Sequence, residues 1–74
     1  MKNKNVLQNR YGDIEVGSNV KFLVENQDDW GGDNRGILIF EKGEFKVQTK
    51  NSGILTIGKG YDVYWNTIEK IVNN

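Results

Sequence analysis

The stretch Asn26-Gln27-Asp28-Asp29-Trp30-Gly31-Gly32-Asp33-Asn34 sets one tryptophan among three carboxylates and two glycines. Carboxylates this close suggest first a cation site. With Glu25 they supply hard oxygen ligands, but calcium takes about six to eight oxygens. The EF-hand order D-x-[DN]-x-[DN]-G is broken because Trp30 stands where a ligand belongs, so no metal site is expected. Asp28 and Asp29 are sequence neighbours whose side chains point differently, which does not make a proton-sharing pair. The chain has no His and no Cys, so it lacks the commonest general base and the thiol nucleophile. Its two serines, Ser18 and Ser52, have no evident base beside them, and turn chemistry accounts for Ser52. Gly58-Lys59-Gly60-Tyr61 lacks the Gly-Lys-Ser/Thr ending and the following helix of a phosphate loop. These residues point away from catalysis and require no cofactor.

What remains is recognition chemistry. Trp30 has no apolar neighbours in sequence, while Tyr61, Tyr64 and Trp65 cluster near the end of the chain. Aromatic anchors with a charged rim are the usual makings of a protein-recognition surface. The candidate partner-binding residues are therefore Trp30, Asp28, Asp29, Asp33, Tyr61 and Tyr64, and the partner is expected to be a protein with a basic surface. The competing reading makes Trp65 and Tyr61 plugs for the open end of a barrel. A second chemistry is single-stranded nucleic-acid binding, for which Arg35, Lys42, Lys46 and Lys50 would supply the cations and the aromatics would stack on bases. Lys46 and Lys50 share one parity along a strand, but that is also the outward face of any small barrel.

These side chains must be held by strands. Val20, Phe22 and Val24 alternate with polar residues across Ser18 to Glu25, with Leu23 the exception, and period two predicts a half-buried strand. Residues 26–34 are a loop. Gly36 to Glu41 is apolar on both faces, as a central strand is. Lys42-Gly43 between Glu41 and Glu44 predicts a two-residue hairpin, with Gly43 at positive φ. Phe45, Val47 and Thr49 continue with period two, Asn51-Ser52-Gly53 turns the chain, and Ile54 to Ile57 forms another strand. Thr67 to Val72 is read as a last strand rather than a helix, with a single 3₁₀ turn before it. The expected core is Val20, Phe22, Val24, Ile37, Ile39, Val47, Ile54 and Ile68. Residues 1–12 read as a flexible N-terminal arm and 13–74 as one all-β domain, a small five-stranded SH3-like barrel; a barrel removes the edges that an open sheet would leave.

Gly17-Ser18-Asn19-Val20-Lys21-Phe22 resembles the opening "G-D-x-V-K-F" strand of many SH3-like barrels, and Ile68-Glu69-Lys70-Ile71 resembles their closing strand. The layout of residues 11–72 is similar to the small SH3-like proteins of Gram-positive phages and mobile elements, including the YopX-like group. That resemblance implies a phage- or mobile-element-encoded protein that binds a host protein such as a defence nuclease, with inhibition as one outcome. The chain departs from the pattern at Ser18-Asn19, and the A-L-Y-D-Y motif of true SH3 domains is absent, so proline-motif binding does not carry over.

Length, charge and composition fit this reading. Seventy-four residues suffice for one domain. Lys and Arg balance Asp and Glu, but unevenly: residues 1–10 carry Lys2, Lys4 and Arg10 without an acid, whereas residues 11–33 hold six acids against Lys21. A dedicated duplex-DNA binder would be frankly basic. The absence of Ala and Pro beside abundant Asn suggests an AT-rich genome. No run approaches the ~18 apolar residues of a membrane span, and no signal-peptide pattern follows the first residues. The expectation is a cytoplasmic protein, a monomer or weak dimer.

Overall fold

The computed structural model describes residues 6–57 and 63–72. Seven short strands form a two-stranded hairpin and a five-stranded antiparallel sheet among these residues. β1 (Val6–Asn9) pairs with β2 (Gly12–Glu15). The large sheet has the order β6-β5-β4-β3-β7, with β3 at Asn19–Lys21, β4 at Arg35–Glu41, β5 at Glu44–Gln48, β6 at Ile54–Thr56 and β7 at Glu69–Lys70. Two 3₁₀ turns, Gln27–Asp29 and Trp65–Thr67, interrupt the connections. Among the described residues no helix is long and apolar enough to cross a membrane.

The hairpin β4–β5 sets the frame. Lys42 and Gly43 adopt φ 52° and 82°, the left-handed pair that matches the twist of a two-residue hairpin. Glu41 then faces Glu44, and counting back along both strands puts Leu38 opposite Val47. Both are fully buried, so the inward residues of β4 are the even-numbered ones. Ile37 and Ile54, expected in the core, are instead 41% and 48% exposed, and Ile39 is half-buried. This corrects the expected face of β4 and β6. Val20, Phe22, Val24, Val47 and Ile68 are buried as expected, and Leu7, Ile14, Leu38 and Val63 join them in one cluster.

The N-terminal expectation also needs correction. Residues 6–12 are no loose arm: they form β1 and the turn into β2, and paired Leu7 and Ile14 are buried in the core. Asn9 anchors the hairpin. Its Oδ1 accepts from the Tyr11 N–H at 2.9 Å, and its Nδ2 donates to the carbonyls of Trp65 at 2.8 Å and Ile68 at 3.0 Å. Nor is the sheet closed into a barrel. β6 and β7, of three and two residues, are its edges. Single bridges from Val63 to Val24 and Ile57 tie the end of the sheet instead, and the β1–β2 hairpin supplies core residues from outside it. Edges this short offer little template for strand addition.

Candidate functional site

β3 leaves its ladder after Lys21, although apolar alternation continues through Val24. The reason lies in the second 3₁₀ turn. The Leu23 N–H donates to Thr67 Oγ1 at 2.9 Å, and the Leu23 carbonyl accepts from the Tyr64 N–H at 2.9 Å and from the Thr67 hydroxyl at 3.2 Å. Phe22 and Val24 stay buried on either side while the Leu23 side chain is held outward, 48% exposed. The odd residue in the sequence alternation is thus a surface residue on a clamped backbone.

A pair of amides closes the base of the loop that follows. Asn34 Nδ2 donates to the Phe22 carbonyl at 2.9 Å and to Gln27 Oε1 at 2.8 Å, and Gln27 Oε1 also accepts from the Val24 N–H at 3.1 Å. This positions the 3₁₀ turn Gln27–Asp29 so that Asp28 and Asp29 are exposed. Those two carboxylates share a groove of about 320 Å³ with Leu23, Glu25 and Tyr64. Tyr64 is 42% exposed. No cation is among the described residues lining this groove.

The rest of the loop is built differently. Trp30 is half-buried and packs against the core, and its indole N–H donates to the Asp33 carbonyl at 3.0 Å. A Cβ at Gly32 would lie 2.5 Å from both the Trp30 ring and Ser52 Oγ, so glycine is what lets the indole lie down there. The Asp33 N–H donates to Ser52 Oγ at 2.9 Å, and Asp33 Oδ2 accepts from the Asn51 N–H at 2.7 Å. The Asn51 N–H, helped by Ser52 and Thr49, holds the Asp33 carboxyl below its ordinary value of 3.8. Thr49 Oγ1 meanwhile donates to the Gly53 carbonyl and accepts from the Ser52 N–H, so the turn that receives Asp33 is itself braced.

The structure therefore brings Asp28, Asp29 and Tyr64 together and separates them from Trp30 and Asp33, which brace the loop. Trp30, named among the candidate partner-binding residues, is instead half-buried against the core. Tyr61 lies outside the described residues. Trp65 is 43% exposed rather than a plug. Leu23 and Tyr11, both 48% exposed, were not among the expected site residues; the break in alternation at Leu23 was the available signal.

The alternative basic face divides. Arg35 and Lys50 line a groove of about 500 Å³ on the outer face of the sheet with Asn19, Ile37, Gln48 and Ile71. Lys46 lies within 3.8 Å of Glu41, and Lys42 sits in the hairpin turn. No aromatic is among the described residues lining that groove. Among the described residues no group of three or more His, Cys, Asp or Glu side chains is placed to hold a metal ion. No protein-family model, no curated protein and no solved structure matches this chain.

Proposed function

We propose that the chain is a non-catalytic binding module that captures a basic segment of another protein in the groove of Leu23, Glu25, Asp28, Asp29 and Tyr64. The observation that carries this reading is the composition of that groove. Three carboxylates rim two exposed apolar side chains, and one of these, Leu23, stands on a backbone fixed by hydrogen bonds to the second 3₁₀ turn. A preorganised apolar contact costs little ordering on binding, and the acidic rim speeds the encounter with a cationic partner. The strand order supports reading the large sheet as an opened SH3-like arrangement: its last strand, β7, lies beside its first, β3, and the meander β3–β4–β5–β6 follows.

The experiment is fluorescence anisotropy with a labelled peptide that combines lysines with leucine and tyrosine. The expected result is saturable binding that weakens as salt rises. Asp28→Lys with Asp29→Lys should weaken it by about tenfold or more, equivalent to about 1.4 kcal/mol, with an unchanged melting temperature. Binding that is indifferent to both substitutions would reject this reading. The outer-face groove of Arg35 and Lys50 favours a second ligand class, single-stranded nucleic acid; that reading requires a mobility shift abolished by Arg35→Glu with Lys50→Glu.

A further inference from the structure

The groove of the proposed function does not stop at Leu23. The same side chain lines a second groove, of about 380 Å³, with Tyr11, Lys21, Arg35, Thr67 and Glu69. Tyr11, Leu23 and Tyr64 are each more than two-fifths exposed, and Leu23 is the wall that the two grooves share. Exposed apolar groups gathered this way mark interaction surfaces. The two grooves differ in sign. One is rimmed by Glu25, Asp28 and Asp29. In the other, Lys21 lies within 3.9 Å of Glu69, while Arg35 makes no ion pair among the described residues. Beside this groove the Arg10 guanidinium lies over the Tyr11 ring, 5.5 Å from its centroid.

Resting on the proposed function, we infer that both grooves form one site for an extended, dipolar protein segment: basic residues at one end, an apolar centre over Leu23, and acidic residues at the other end. Opposite charge at the two ends selects this occupant. A polyanion such as single-stranded nucleic acid would be drawn to Arg35 and repelled by Asp28 and Asp29. A uniformly basic segment would meet Arg35 as a like charge. Tyr11 lines one groove and Tyr64 the other, with Leu23 in both, and the two tyrosines serve as anchors for apolar side chains of the ligand.

The test compares two fluorescein-labelled peptides with the same leucine–tyrosine–leucine centre. One has a lysine pair at one end and a glutamate pair at the other, prepared in both chain directions; the second has lysine pairs at both ends. The wild-type protein should bind the better direction of the dipolar peptide about tenfold more tightly than the all-basic one. Arg35→Glu, or the milder Arg35→Gln, should remove that preference without moving the melting temperature. Tyr11→Ala should weaken the dipolar peptide more than the all-basic one. Asp28→Lys with Asp29→Lys should weaken both. If Arg35→Glu leaves the preference intact, the site ends at Leu23 and this inference falls, while the proposed function survives on its Asp28 and Asp29 dependence. If the aspartate variants change nothing, the proposed function fails first. Displacement of the dipolar peptide by a single-stranded oligonucleotide, without displacement by the all-basic peptide, would also overturn the inference.

Discussion

The two halves of the loop between Phe22 and Asn34 each hold a large apolar residue and aspartate, and they turn them in opposite directions. From Leu23 to Asp29 the side chains of Leu23, Asp28 and Asp29 turn outward and are exposed, while Val24 stays in the core. Trp30 to Asn34 turns its own inward, with Trp30 on the core and Asp33 bonded to the Asn51 and Ser52 turn. The presence of an aspartate and a large apolar residue therefore does not tell which half faces outward. Backbone hydrogen bonds do. The first half is clamped at Leu23 from the Tyr64–Thr67 side, which leaves the Leu23 side chain to solvent. The second half is clamped by the Thr49–Gly53 turn, and its side chains do the clamping.

Substitutions can break this comparison, and the largest effect is expected at Trp30. Trp30→Ala should destabilise the domain by about 2–4 kcal/mol, at or below the range for a fully buried aromatic because the ring is only partly buried. Urea unfolding measures it, and a loss under about 0.5 kcal/mol would mean that the indole is not a structural element. Gly32→Ala comes next. Its methyl group would meet the indole ring and Ser52 Oγ, and overpacking of this kind costs about 1–3 kcal/mol. A neutral Gly32→Ala would show that the indole can move aside.

Asp33 gives a smaller, pH-dependent effect. Its folded carboxyl titrates below 3.8, so the folded state binds fewer protons than the unfolded chain around that pH. Its contribution is fully present above the unfolded value and is lost as pH falls through the depressed folded value. Melting curves of wild type and Asp33→Asn, taken from about pH 7 down to about pH 3, should therefore differ at neutral pH and converge in acid. A constant difference across that range would place the contribution elsewhere. The smallest stability effect belongs to the outward half: Asp28→Lys with Asp29→Lys should shift the melting temperature negligibly.

Much of the frame was legible in the sequence, and the misreadings have physical causes. Lys42-Gly43 announced the hairpin, and Val47 its inward face. Together they already place Leu38 inside, because a two-residue turn puts residue 38 opposite residue 47. Reading Ile37-Leu38-Ile39 by hydrophobicity alone hid that consequence, since the run is apolar on both faces. The β1–β2 hairpin was hidden because its core contribution is only Leu7 and Ile14, and its anchor, Asn9, works through bonds to Trp65 and Ile68 far along the chain. The fate of Trp30 was illegible for the same reason: Asp33 is fixed by Ser52, nineteen positions away. The candidate site was legible only in part. Asp28, Asp29 and Tyr64 were named from composition, whereas Leu23 and Tyr11 required the 3₁₀ turn and the hairpin to be placed.

The central claim is that the outward half of the loop binds and the inward half holds the fold. The most direct measurement is a paired assay on Leu23→Ala with Tyr64→Ala: thermal melting together with anisotropy of the labelled basic–apolar peptide. Wild-type-like melting with binding weakened by about tenfold or more is the predicted result. Retained binding, or a melting temperature lowered as far as that of Trp30→Ala, would contradict it.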